Sequence, residues 1–559
     1  MIKKLPILGL AAVLAAGCGS EKSVFGTKEK SAENTSKKST NGLKSYGEVI
    51  TSEAESDEGL FTTHFVDDKL YFEIPVDLLD KDMLLVSRIA GVPDGYGGGY
   101  VNAGSKVNEQ VVRWTKRKGN IDVKVISFEN MSDEESPIYK SVKANNYFPI
   151  LYSSKIETYN ADSTKVVIEV SDLFENEVQA INGLSSSLRK RYKVKKLDQS
   201  RSYIESASSY PKNVEVKHVM TYEAEEPPTR DQAGTISMMM NQSMILLPDD
   251  KMQPRIADPR VGWFTIDKYD YNSEELKADD YELIRRWQLV PKDIEAYKRG
   301  ELVEPEEPIV YYLDPATPEK WRPYFKQGIE DWNVAFEEAG FRNAIIAKNP
   351  PTKEEDPEFS PEDVRYSVVR YVASTTRNAV GPSVTDPRTG EIIESDIIWY
   401  HNHLRSYRNR YMIEAGAQTE DARTLNTPES EIGEMMRMVI AHEVGHALGL
   451  PHNMKASSAY PTDSLRSAEF TQKYGLTPSI MDYARVNYVA QPEDEGVRYI
   501  RMMGPYDLYA INWGYRYLPE AESAEAEKEK LDEWILEKAG DPWYEFGNGY
   551  SGVDPQSQR

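Results

Sequence analysis

Cysteine is almost missing from this chain: its 559 residues hold one, Cys18, so no disulfide can form within it. Histidine is nearly as scarce, with seven copies. Long apolar runs are missing as well, apart from residues 5–14, and that run is too short to cross a bilayer as a helix. Basic charge is in deficit, since 67 Lys and Arg against 91 Asp and Glu leave a net charge of -24. That balance suits a dissolved protein and argues against broad nucleic-acid binding, so no nucleic-acid partner is expected. What remains is ordinary for globular protein, 40% hydrophobic residues over a length sufficient for at least two domains.

At the N-terminus Lys3 and Lys4 precede the apolar run, and small residues then lead to Cys18, the pattern of a secretory signal. Ala15-Ala16-Gly17-Cys18 resembles a bacterial lipobox, with Leu14 one place earlier than the usual leucine. The resemblance implies a lipid on Cys18, a membrane as partner, and an exported chain anchored in the bacterial cell envelope, at the outer membrane and facing periplasm or surface. Residues 19–45, rich in Ser, Lys, Thr, Asn and Glu, lack the apolar content for a core and read as a flexible tether.

Residues 46–272 read as a β-rich accessory region, in one part or two, with strands near 70–74, 83–89, 121–128, 164–170, 214–221 and 244–247. The Gly-rich stretch 91–100 lacks a Gly-Lys-Ser/Thr ending and reads as a surface loop rather than a phosphate cradle. Met238 to Met240 read as sheet packing, the basic run 189–196 as a solvated hairpin face, and His64 and His218 as ordinary buried or surface histidines. A connector follows over 273–308, helical to about 298 and then rich in Glu and Pro. From 309 the pattern turns to strand, a long amphipathic helix over 318–339, and further strands at 343–347, 364–372, 379–385 and 391–400. His401 and His403 lack an evident third ligand and read as loop residues.

Three of the seven histidines fall in residues 441–453, AHEVGHALGLPHN. The preceding residues predict a helix, with Thr427 as cap, Pro428 in the first position, and Glu429 and Glu431 near its positive end. His442 and His446 are one turn apart, so both imidazoles project from one face and can meet one metal ion. Glu443 is placed to contact water on that metal rather than to ligate it. Gly449 permits a left-handed turn, Pro451 prevents the helix from continuing, and His452 is brought back as a third nitrogen ligand. Three neutral nitrogens leave one position for water, the pattern of a catalytic zinc site with one ion.

Downstream stands Ser479-Ile480-Met481-Asp482-Tyr483. With the zinc motif it resembles the metzincin clan of metallopeptidases, and in particular large bacterial zinc-dependent metalloprotease lipoproteins with β-rich N-terminal domains, the stretch 257–264 (ADPRVGWF) included. The resemblance implies an α+β fold, in which a metzincin-like catalytic domain over 309–518, a mixed twisted sheet with the zinc helix, follows the β-rich region. It makes Met481 the methionine of the turn beneath the metal, and Tyr483 a residue able to approach the zinc or the developing oxyanion. It makes the strand of Ala379, Val380, Gly381, Pro382 and Ser383 the edge to which extended peptide substrate adds. Asn453 departs from the residues that several metzincin families carry after the third histidine. A helix at 504–515 would pack under the site and a charged helix at 520–538 would open a C-terminal part over 519–559. Relatives of this type continue further, so a longer protein is expected.

The chemistry these residues imply is peptide-bond hydrolysis on a protein or peptide substrate, with Glu443 as general base and then general acid. A single cysteine, lipidated, excludes a cysteine-based latency switch. Two alternatives use the same residues, a catalytically silent surface-binding lipoprotein and a zinc hydrolase acting on a non-peptide amide or ester.

Overall fold

The computed structural model describes residues 42–93, 95–96, 101–228, 233–273 and 276–549. The signal-like segment, Cys18, and residues 19–41 of the tether lie outside them, as do residues 97–100 of the Gly-rich stretch.

Twelve described strands of the N-terminal half form one sheet. Its path runs Glu55–Glu58, Thr62–Val66, Lys69–Pro75, Lys165–Glu169, Ile150–Tyr159, Asn120–Ile126, Lys106–Arg117, Met83–Gly91, Thr235–Leu246, Asn213–Ala224 and Val194–Leu197, with Tyr203–Ser209 also on Asn213–Ala224. Leu70, Phe72 and Ile74 alternate onto one face and are fully buried there. Trp114 joins them, its ring 5.9 Å from that of Phe72 and 6.0 Å from that of Phe61. The basic run differs from a simple hairpin face. Ser186–Arg191 is a helix capped by the Ser185 side chain, and the lysines after it meet acids just past the strand Asn213–Ala224, Lys193 with Glu226 and Lys195 with Glu225.

The second half holds a five-stranded sheet in the order Ile345–Lys348, Ile309–Leu313, Ser367–Val372, Ile397–Tyr400, Ala379–Val380. The first four are parallel and the last lies antiparallel along one edge. Helices pack against it, so a β-rich N-terminal region is followed by an α+β part.

The helix expected over 318–339 is broken into a short turn Glu319–Trp321 and helices Arg322–Glu330 and Asn333–Glu338. At the break the Asp331 and Trp332 side chains make tertiary bonds. Asp331 receives two 2.7 Å bonds from the Arg437 guanidinium, and the Trp332 indole N–H donates to the Ala441 carbonyl at 2.8 Å. Both partners lie on the helix Glu429–Ala447.

The helix expected over 273–298 is replaced by an antiparallel strand pair, Thr265–Asp270 with Asp279–Ile284, and only Ile294–Lys298 is helical. Pairing between strands and burial of Leu283 and Ile284 outweigh a weak local helix pattern. Nor does this segment merely link two bodies. Trp263, Ile284, Leu289, Tyr297 and Val303 share one core with Phe336, Met481 and Tyr515.

Candidate metal centre

The helix Glu429–Ala447 carries the first two histidines, and its start, just after Pro428, places Glu429 and Glu431 in the first turn. Between the histidines stands Gly445, where a Cβ would lie 2.2 Å from the Met481 sulfur and 2.9 Å from the Trp332 ring. Only glycine lets the floor of the site press so close. Gly449 then turns the chain with φ of 107°, against the Arg285 carbonyl, which a Cβ would approach to 2.0 Å.

This turn brings His452 to His442 and His446, and one ligand nitrogen of each lies within 4.8 Å of the others. The outer nitrogens are engaged: Nδ1 of His442 donates to the Ile480 carbonyl at 2.8 Å, and Nδ1 of His446 donates to the Leu450 carbonyl at 2.7 Å. The Arg501 guanidinium lies 3.4 Å from the same His442 nitrogen, too long to displace that bond. These bonds fix each tautomer and leave Nε2 as a lone-pair donor facing inward. Nε2 of His446 and Nε2 of His452 are 3.1 Å apart. Two nitrogens on one tetrahedral zinc are separated by about 3.3 Å, so this donor set fits the ion.

Burial holds His446 down to about 4 and His442 well below its ordinary value, so at neutral pH both imidazoles are in the form that binds metal. Glu443 is 7% exposed, and burial pushes its carboxyl up to about 8, against the pull of Arg501 and of the Gly381 N–H. A divalent cation beside it favours the ionised form. An acid able to take and return a proton thus lies buried on the same helix, one residue after His442.

Met481 is fully buried against Gly445, between the two histidines of the helix. Asp507 holds its turn in place, accepting the Ser479 hydroxyl at 2.6 Å, the Ile480 N–H at 2.7 Å and the Gly504 N–H at 2.9 Å. Tyr483 packs against the site at a tilt, its ring 4.4 Å from that of His452 and 5.6 Å from that of His442. Asn453 is fully buried and clamps residues further along the chain, donating to the Glu545 carbonyl and accepting the Gly547 N–H, both at 3.0 Å.

The strand expected over 379–385 is shorter than its pattern. Ala379 and Val380 form the sheet edge, but Gly381, Pro382 and Ser383 leave the ladder, and Val384–Thr385 pairs in a separate ladder with Ile392–Glu394. Proline has no N–H to donate, and Gly381 is committed elsewhere. A Cβ at Gly381 would lie 2.2 Å from the Glu443 carbonyl. The accessory region reaches this rim too: the Lys106 ammonium donates to the Ser383 carbonyl at 2.7 Å, and the Glu109 carboxylate accepts the Thr385 N–H at 2.9 Å.

His401 and His403 part company, His401 pairing with the Tyr371 hydroxyl and His403 lying buried between Trp399 and Tyr407. Sequence reasoning missed Asp507, Arg501 and Phe264. The Phe264 ring packs 5.8 Å from His446, and no local pattern marks a residue some 180 positions away as a neighbour of the metal ligands. A cavity of about 1170 Å³ lies against Met438 and Ala441 of the helix Glu429–Ala447, and none of the three histidines lines it.

Residues 424–559 match the model of a family described as Met-zincin. Residues 43–92 and 104–292 match two domains of unknown function, DUF5118 and DUF5117. No curated protein and no solved structure matches the chain.

Proposed function

The chain carries a Met-zincin domain over residues 424–559, and from it we propose a zinc-dependent endopeptidase. The observation that supports this reading is the convergence of the His442, His446 and His452 nitrogens, with Glu443 buried one residue along the same helix from His442. The three imidazoles would hold one Zn²⁺, which when bound polarises a scissile carbonyl and brings the pKa of a water to about 7.

Glu443 accepts the proton of the attacking water and returns it to the leaving amine. The Gly381 N–H steadies that carboxylate between the two transfers. The Tyr483 hydroxyl donates to the oxygen that gains negative charge. Ala379 and Val380 pair with an extended substrate, since no described strand occupies their outer side. A lipid on Cys18 and the tether after it hold the enzyme at a bacterial envelope membrane.

The test is cleavage of a diverse peptide library by the zinc-loaded protein that begins after Cys18, run beside Glu443→Gln with zinc measured in both. The variant is expected to keep zinc and lose about 10²–10⁴-fold in turnover. A zinc-loaded wild type that cuts no peptide would overturn the reading.

A further inference from the structure

We infer that Phe264, supplied by the accessory region, is a specificity-determining wall of the substrate cleft that selects an apolar side chain next to the scissile bond. This rests on the peptidase reading above. Phe264 lies within the DUF5117 match and outside the Met-zincin match, yet its ring sits 5.8 Å from His446, tilted by 39°.

Its position is fixed on both sides. The Phe264 N–H donates to the Gly449 carbonyl at 2.8 Å, and its carbonyl accepts the Arg285 N–H at 2.8 Å. Its neighbour Trp263 is 7% exposed and locked between Gly449 and Gly514, with its ring 5.7 Å from Tyr515. Because Trp263 is anchored in the catalytic core, Phe264 cannot turn inward. It stays 39% exposed, an apolar face held against the rim of a metal site.

A substrate carbonyl that reaches the three imidazoles brings the flanking residues close to this face, since one extended residue spans only about 3.3–3.6 Å. A side chain there covers the exposed part of the ring and gains its apolar contact. A small or charged side chain gains little or loses hydration. Rigid placement means that little conformational freedom is lost when the contact forms.

The experiment uses the chain that begins after Cys18, zinc-loaded, in Phe264→Ala and Phe264→Leu forms. Cleavage rates are read against peptides carrying Leu, Phe, Ala or Asp on either side of the cut bond. Binding of the same peptides is read by calorimetry on the Glu443→Gln background, which needs no turnover. Phe264→Ala is expected to weaken binding and kcat/KM for the Leu and Phe peptides about tenfold or more. Ala peptides should change little, and Phe264→Leu should recover most of the loss, with zinc content unchanged throughout. An unaltered preference in both variants would overturn the inference while leaving the peptidase reading intact. Equal losses on every peptide, or loss of zinc, would overturn it in favour of a shield over His446. A wild type that neither binds nor cuts peptides would overturn both.

Discussion

His442 and Ile480 are joined by a 2.8 Å bond from the imidazole Nδ1 to the backbone carbonyl, so the metal helix and the methionine turn hold each other directly. The Ile480 N–H is in turn held by Asp507, which also accepts from Ser479 and Gly504. The aspartate therefore orients a metal ligand through the backbone of one residue, Ile480. Asp507→Ala leaves three buried donors without an acceptor, each worth about 1–3 kcal/mol. It is expected to lower zinc affinity about 10–100-fold, as loss of a ligand's outer partner does. Chelator competition and a melting curve read the two effects separately, and wild-type zinc affinity in a folded variant would refute the link.

Gly381 offers a sharper steric test, because its neighbour is backbone. A Cβ there meets the Glu443 carbonyl at 2.2 Å and the His446 Cβ at 3.3 Å, and a main-chain oxygen inside a helix cannot swing aside. Gly381→Ala must then push the edge strand away from the helix, at a cost of about 1–3 kcal/mol. The same shift withdraws the Gly381 N–H from the Glu443 carboxylate. Turnover is expected to fall while zinc is retained, and a variant with wild-type kcat and stability would show that the rim yields more readily than its contacts indicate.

Much of the centre was legible because its chemistry is local. His442, His446, Gly449 and His452 lie within eleven residues, and the helix period and a left-handed turn settle their convergence without knowledge of the rest of the chain. The strands of the N-terminal half were partly legible for a similar reason, since Leu70, Phe72 and Ile74 alternate onto one face. Helix boundaries were less so: the pattern at 318–339 runs unbroken through Asp331 and Trp332, where the structure breaks the helix and their side chains bond to Arg437 and Ala441. Phe264 and Asp507 act through partners far away in sequence, and their types carry no signal until the fold brings those partners near.

His218 gives the chain a titration away from the metal. It is fully buried, accepts at Nε2 from the Gln242 amide at 3.0 Å, and is held down to about 4 by burial against an ordinary value of 6.5. Between those values the unfolded chain binds the proton and the folded chain does not, so stability falls as pH drops through this window. From pH 7 to pH 5 the loss from this one group is about 2 kcal/mol. Urea unfolding at both values should show His218→Gln with a shallower decline than wild type. Equal declines would mean that the imidazole charges within the fold.

The ion pair between Arg255 and Glu527 bears on whether the catalytic part stands alone. The guanidinium meets the carboxylate at 2.7 and 3.0 Å, and also donates to the Trp513 carbonyl at 2.6 Å and the Arg516 carbonyl at 3.0 Å. The two side chains are 1% and 3% exposed. Arg255→Met strands a carboxylate in the interior and is expected to cost about 3–5 kcal/mol, whereas Arg255→Met with Glu527→Leu removes both charges and recovers much of that loss. A chain beginning at residue 309 lacks Arg255 and also Trp263, a member of the catalytic core, and leaves Glu527 in the same unpaired condition. It is expected to show no cooperative melt and no zinc binding. If that fragment instead melts cooperatively and holds zinc, the segment before it is a cover on the catalytic core rather than a part of it.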